Sequence, residues 1–247
     1  MGKARALIVD DEADLREALR EELIIDQWDV DEAVDGLDAL QKLEKENYDV
    51  VITDVRMPNI DGWGLLRTIR TTNLQTIVVI MSAYADTPPW EAYALGANGF
   101  FGKPFRISDL EELVRSMRLP MPERWGDNER KQAGWQPTDQ IDVDCSKHPE
   151  NFSLGRGGMF VGIEMQGIRK GSIVSFRVTT RDLVLEGVGK VRWKRTVSEG
   201  DLAPGLGVEF LYLNESCRSR VSLAISKSTE RSFIPKGSLQ PASSRSV

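Results

Sequence analysis

Two adjacent acids at Asp10 and Asp11, a third at Asp54, a hydroxyl at Ser82 and an ammonium at Lys103 are the residues of this 247-residue chain whose types could do chemistry together. A pair of carboxylates with another across a crevice supplies the hard oxygen ligands that Mg²⁺ prefers, and Mg²⁺ commonly acts with phosphate. A lysine adds a mobile positive charge, and a serine hydroxyl can donate to a phosphoryl oxygen. The set therefore describes a phosphoryl site, because in-line transfer needs positioning and neutralisation of the equatorial oxygens. An aspartate that attacks becomes an acyl phosphate. Asp54 stands alone while Asp10 and Asp11 sit together where a metal would lie, which makes Asp54 the candidate nucleophile. Taken by itself, an acid followed by Met57-Pro58-Asn59 and Asp61-Gly62, which force a turn, can be a nucleophile, a metal ligand or a cap.

The elements that must position these residues follow from hydrophobic periodicity. Short apolar runs at 5–9, 50–54, 76–81 and 99–101 read as strands, with a weaker one at 29–33. Between and after them, helical spacing places Leu15, Leu19 and Leu23, then Leu37, Leu40 and Leu43, then Leu65, Leu66 and Ile69 on inward faces. Pro88-Pro89 opens a fourth helix, and Ser108 with Glu111 three residues on reads as a capping box for a fifth. Five strands alternating with five helices predict an α/β fold, a doubly wound five-stranded parallel sheet over residues 1–118. Ligands of such sheets sit beyond the strands' carboxyl ends, where Asp10, Asp11, Asp54, Ser82 and Lys103 would all lie.

Composition sets the remaining bounds. With 40% hydrophobic and 28% charged residues the chain reads as soluble and globular. Its longest apolar runs are a few residues, against the roughly 18–20 needed to span a bilayer, and the N-terminus lacks a signal-peptide core, so a cytoplasmic location without a membrane segment is expected. Cys145 and Cys217 are far apart and in no metal spacing, which fits free thiols in a reducing compartment. Charge divides the chain: residues 1–118 hold 13 Lys+Arg against 23 Asp+Glu, net −10, and residues 119–247 hold 19 against 15, net +4. The acidic half suits a site that collects cations and argues against a nucleic-acid partner there; the excess in the other half is too small to imply one.

With Asp10-Asp11, Asp54 in Asp54-Val-Arg-Met-Pro-Asn-Ile-Asp-Gly62, Ser82-Ala83 and Lys103-Pro104-Phe105 in place, residues 5 to about 118 resemble the flavodoxin-like receiver domain of two-component response regulators. The resemblance implies that Asp54 accepts phosphate from a histidine kinase and that Mg²⁺ is held by Asp11, Asp54 and the Arg56 backbone carbonyl, with Asp10 acting through water. It further implies that Lys103 pairs with the phosphate, that Lys103–Pro104 is cis, that Ser82 turns toward the phosphate and that Phe100 is the aromatic switch. Phenylalanine there, in place of the commoner tyrosine, keeps the packing change and removes a hydroxyl. Such a protein is not an enzyme beyond self-catalysed phosphotransfer and dephosphorylation. The related aspartate-nucleophile phosphohydrolases put the nucleophile at the first strand's end in an Asp-x-Asp-x pattern, which Asp10-Asp11-Glu12 does not form.

Residues 119–137, with three prolines, two glycines and no periodicity, read as a linker. Residues 138–226 hold short β-rich runs separated by turn signals, which predict a small antiparallel β-barrel, closed by a helix from Glu215. Residues 227–247 are Ser-rich and are expected to be a disordered tail. The β-rich stretch resembles a PilZ domain in Asn151-Phe-Ser153 followed by Gly157-Gly-Met-Phe-Val161, in Lys170-Gly-Ser172, in Gly189-Lys-Val-Arg-Trp193 and in Pro204-Gly-Leu-Gly-Val-Glu-Phe210. That resemblance implies cyclic di-GMP as a ligand, held by an Arg-x-x-x-Arg run and an Asp/Asn-x-Ser-x-x-Gly loop; the corresponding residues here are Arg130 and Lys131 with Asn151, Ser153 and Arg156. Both stretches depart from the pattern: Arg124 and Arg130 are too far apart, and Arg156 stands where the loop glycine belongs. A protein effector, engaged through the receiver or the barrel, and a homodimer are the alternative partners. The whole reads as a phosphorylation-dependent response regulator with a PilZ-like output, or as a phosphorylation-independent docking protein regulated through its barrel.

Overall fold

The structure, a computed structural model, describes residues 3–25, 27–72, 75–83, 88–119, 121–126, 135–164, 166–227 and 232–237. The chain divides into two compact units, Met1–Arg118 and Leu119–Val247.

The first unit alternates strand and helix: β1 (Arg5–Val9), α1 (Ala13–Ile25), β2 (Asp29–Ala33), α2 (Gly36–Leu43), β3 (Val50–Asp54), α3 (Gly62–Thr72), β4 (Ile77–Ser82), α4 (Pro89–Leu95), β5 (Gly99–Gly102) and α5 (Ile107–Met117). All pairs are parallel, in the order β2-β1-β3-β4-β5, the doubly wound arrangement expected. β3 and β4 are buried at every position, as both faces of such a sheet lie under helices, so their sequences are continuous apolar runs rather than alternating ones. Two local readings differ. Helix α5 starts at Ile107 with Arg106 as N-cap and no side-chain cap bond, which puts Ser108 inside the first turn rather than at the cap. Leu37, expected inward, is 45% exposed: the N-terminus of α2 presses Gly36 onto the Ile60 carbonyl, and Ala39 takes the buried position.

The second unit contains α6 (Met121–Arg124), β6 (Asp139–Asp144), a 3₁₀ turn (Pro149–Asn151), β7 (Phe152–Leu154), β8 (Gly158–Val161), β9 (Ile173–Thr179), β10 (Val184–Arg195), β11 (Gly205–Leu213) and α7 (Glu215–Lys227). Its strands form one six-stranded sheet in the order β6-β9-β10-β11-β8-β7. An antiparallel barrel was expected, and the sheet is mixed: β6 runs parallel to β9, pairing Asp139 with Val174 through Asp144 with Thr179. The reason is topological. The chain crosses from β6 to the β7–β8 hairpin at the far edge before returning to β9, so β6 meets β9 in the same direction. No ladder among the described residues joins β6 to β7, which leaves a curled half-barrel. Its core gathers Ile141, Met159, Val161, Val174, Val178, Leu185, Val191, Val208 and Phe210 with Cys217 and Val221 of α7. Both cysteines are free and buried.

Two boundaries shift. The stretch expected to be linker includes α6 and Trp125, which is 2% exposed, meets Phe210 edge-on at 5.6 Å and accepts a hydrogen bond on its carbonyl from Leu213 N. A single aromatic anchor has no period, so pattern reading misses it. The stretch expected to be disordered includes Lys227, the last residue of α7, and Ser232–Gly237, where Phe233 and Ile234 are fully buried. Residues 228–231 and 238–247 lie outside the described residues.

Candidate functional site

Asp10 follows β1, Asp54 ends β3, Ser82 ends β4 and Lys103 follows β5. The parallel register sets them level, with Asp54 opposite Met81 and Ser82 opposite Gly102. The sheet thus delivers at one rim the groups that the sequence scatters along the first hundred residues. Lys103 Nζ lies 2.8 Å from Asp10 Oδ2 and also pairs with Asp54 Oδ1. The ammonium bridges the two carboxylates. Asp10 is fully buried and Asp54 is 8% exposed, while Asp11 is exposed.

Local backbone fixes each acid. Asp10 Oδ1 accepts from Glu12 N at 2.9 Å, and the Asp10 carbonyl accepts from Arg16 Nη1 at 2.7 Å, with Arg16 also paired to Glu32. The second oxygen of Asp54, Oδ2, accepts from Arg56 N at 2.6 Å. The turn after Asp54 closes through Gly62 N to Val55 O, and it requires glycine: a Cβ on Gly62 would fall on the Asp54 carbonyl oxygen. Lys103 N donates to Ser82 O at 2.9 Å, tying the ends of β4 and β5, and the Lys103–Pro104 bond is cis. Phe100 is half-buried on β5 against the core around Ile80.

Electrostatics favour a charged Lys103. Burial opposes its charge, but the hydrogen bonds and negative charges of Asp10 and Asp54 outweigh burial and hold it above the ordinary lysine value. Three carboxylates, one solvent-facing and two already sharing a cation, fit a divalent ion by charge and by hard-oxygen chemistry. Among the described residues no three acids stand ready-made around a common point; the lysine occupies the space between two of them.

In the second unit, Asn151 closes the 3₁₀ turn and Ser153 lies half-buried on β7 opposite Phe160. Arg156 sits between β7 and β8, where burial first and the nearby charge of Arg124 second push its pKa down to about 10. Arg130 and Lys131 lie outside the described residues. Among the described residues Arg124 lies near enough to Arg156 to act on its charge, a neighbour the spacing rule does not give, and neither does it give the Arg16 brace on Asp10. A lone arginine five residues beyond an acid pair, or in a proline-rich stretch, carries no period and no motif.

The rim chemistry and the five-stranded parallel sheet define a class, and comparison with known proteins assigns it. Residues 6–115 match the family described as the response regulator receiver domain, and that part of the chain is such a domain. Receiver domains are phosphoacceptors that work with histidine kinases. The chain is similar to response regulator ArlR of Staphylococcus saprophyticus, 35% identical over 121 residues, 49% of this chain and 54% of that protein. It is likewise similar to transcriptional regulatory protein TrcR of Mycobacterium tuberculosis, 35% identical over 116 residues, 46% and 44% of the two chains. Among solved structures, Thermotoga maritima TrrA in complex with Mg²⁺-BeF is 33% identical, with 46% of this chain and 98% of that chain covered and a TM-score of 0.42. The chain spans about half the length of the curated relatives it matches. No described helix is long and apolar enough to cross a membrane.

Proposed function

We propose that the chain is a two-component response regulator that takes a phosphoryl group onto Asp54 from a histidine kinase and signals through a PilZ-like second unit. The observation that carries this reading is the Lys103 ammonium held against both Asp10 and Asp54 at the sheet's carboxyl rim. An Asp54 oxygen attacks the donor's phosphorus, forming the P–O bond as the bond to the leaving nitrogen breaks. Lys103 then exchanges one carboxylate partner for a phosphoryl oxygen, and Ser82 donates to another. Asp11, Asp54 and the Arg56 carbonyl, with Asp10 through water, would hold Mg²⁺. When bound, the ion would supply charge neutralisation on the phosphoryl oxygens.

Phosphorylation takes the Asp54 side chain from −1 to about −2 and adds three acceptor oxygens, which draw Ser82 inward and let Phe100 repack beside β5 and so change the face that an effector protein or a second copy meets. Phosphate incorporation from acetyl phosphate tests the assignment: Asp54→Asn should take up none, and uptake at the wild-type rate would show that another residue is the acceptor. Unchanged partner binding on adding Mg²⁺ and beryllofluoride would favour the docking protein instead.

A cyclic di-GMP output is the second reading, and one observation favours it: Arg156, half-buried in the glycine loop, has its charge opposed by burial and then by the nearby charge of Arg124, and the negative charge of a phosphodiester would act in the opposite sense. Asn151 and Ser153 border the same loop. Calorimetry with cyclic di-GMP decides it; binding lost on Arg156→Ala supports the nucleotide, and a clean null leaves the unit to a protein partner.

A further inference from the structure

The six-stranded sheet has two faces, and alternation along each strand separates them. Met159 and Val161 of β8 and Leu206, Val208 and Phe210 of β11 enter the main core. Gly158, Phe160, Gly205 and Gly207 alternate with them and face the other way. On that second face Phe160 stacks on Trp193 at 5.6 Å and 17°. The Arg195 guanidinium lies over both rings, 5.4 Å from Trp193 and 5.9 Å from Phe160. Trp193 Nε1 is buried there with no hydrogen-bond partner among the described residues.

What covers this platform is the segment Ser232–Gly237, Ser-Phe-Ile-Pro-Lys-Gly. Successive amides of the glycine loop, Arg156 N and Gly157 N, donate to successive carbonyls, Ser232 O and Phe233 O, each at 2.9 Å. The Phe233 ring fills the space where a Gly157 side chain would stand, Pro235 lies against Gly155, and Ile234 against Gly158. Gly237 lies against the Phe160 ring, and Arg195 Nη2 donates to Lys236 O at 2.7 Å. The contacts are backbone donors for a short bent segment and seats for its successive side chains Phe233, Ile234 and Pro235, the two ingredients of peptide recognition. Phe160, Trp193, Phe233 and Ile234 are buried but are not members of the main core cluster.

We propose that the second face of this sheet is a docking site for a peptide of aromatic, β-branched residue, proline sequence, and that Ser232–Gly237 is its resident ligand, held in cis and exchangeable for the same sequence in trans. The close approach allowed by the glycine loop then serves a peptide. The proposal is independent of phosphorylation at Asp54.

Two measurements on the full chain test it. In the wild type, the Arg156 and Gly157 amides should exchange with solvent at least about 100-fold faster than amides inside the β9–β10 ladder, through local release of the segment; equal protection would mean that the segment leaves only on global unfolding, and would overturn the proposal. In Phe233→Ala, a labelled Ser-Phe-Ile-Pro-Lys-Gly peptide should bind, by fluorescence anisotropy, at least about 10-fold more tightly than to the wild type, whose tethered segment competes at high effective concentration. The same peptide should not bind Gly157→Val, whose side chain fills the Phe233 seat. A folded Phe233→Ala chain that ignores the peptide, or a Phe233→Ala chain that loses its fold, would each make the segment a fixed part of the structure.

Discussion

Removing the Lys103 charge and the Asp10 charge separately and together gives a quantitative test of how the acidic rim is held. At 2.8 Å the gross attraction is about 6 kcal/mol at an effective dielectric of about 20. Desolvation of two ions offsets much of it, since each costs several kcal/mol when buried. The Asp10 side chain is fully buried and that of Lys103 is 18% exposed, so the acid carries the larger penalty and depends more on its partner. Lys103→Met strands Asp10 beside Asp54 with no cation between them and should destabilise the first unit by about 2–3 kcal/mol. Asp10→Asn loses the ion pair but relieves repulsion with Asp54, so alone it should change stability by less than about 1 kcal/mol. In the Lys103→Met background the same change should be stabilising, giving a coupling of about 2 kcal/mol. The readout is urea unfolding at pH 7 followed through the protected amides of β1 and β3, which report the first unit alone. The pH choice follows from the sign of the shift: the pKa of Lys103 is raised on folding, so its contribution is whole below the ordinary lysine value and is lost only as pH rises through the raised one. Effects that add to within about 0.5 kcal/mol would refute the idea that the ammonium is what makes a buried Asp10 tolerable.

Three further outcomes follow from other contacts. Arg70, 2% exposed, donates to Gly96 O, Thr76 O and Asn98 Oδ1; Arg70→Met should cost about 3 kcal/mol in urea unfolding, because three buried acceptors each lose a hydrogen bond, Asn98 Oδ1 keeping that from Val78 N. Gly62→Ala forces the turn away from Asp54 O, and should cost about 1–3 kcal/mol while slowing phosphate uptake from acetyl phosphate; wild-type uptake would show that Asp54 does not depend on that turn. Burial first, and then the Asp31 hydrogen bond, raise the Tyr48 pKa, so ultraviolet titration should show an ionisation above the ordinary tyrosine value that Tyr48→Phe removes. The stability due to Tyr48 is full below about pH 10 and is lost as pH climbs toward the raised value.

The first unit was legible in sequence because its strands are buried on both faces and its helices carry one apolar stripe, so each element announces its period. Asp54, Asp10 and Lys103 could be placed because polar residues directly after apolar runs mark strand ends, and a parallel sheet brings strand ends together. What escaped was held by single contacts. Leu37 obeys the helical period yet faces water because Gly36 is drawn onto Ile60. Trp125 anchors the second unit from within a proline-rich stretch. Phe233 and Ile234 sit in a serine-rich neighbourhood whose composition suggests disorder, and their burial is decided by glycines some 75 positions earlier. The parallel pairing of β6 was equally hidden, since alternation sets which face a residue takes and says nothing about strand direction.

That parallel pairing also fixes an order of assembly. Strands β9, β10 and β11 form an antiparallel meander from neighbouring sequence, whereas β6 and β8 join its two opposite edges from earlier in the chain, at a larger cost in loop entropy. The sheet grows outward from its middle. Substitutions in the β9–β10 hairpin should slow folding, and those in β6 should chiefly hasten unfolding. The loop around Arg156, flanked by β7 and β8, then comes into being late, so the most chemically distinctive surface of the second unit depends on the slowest ladder to close.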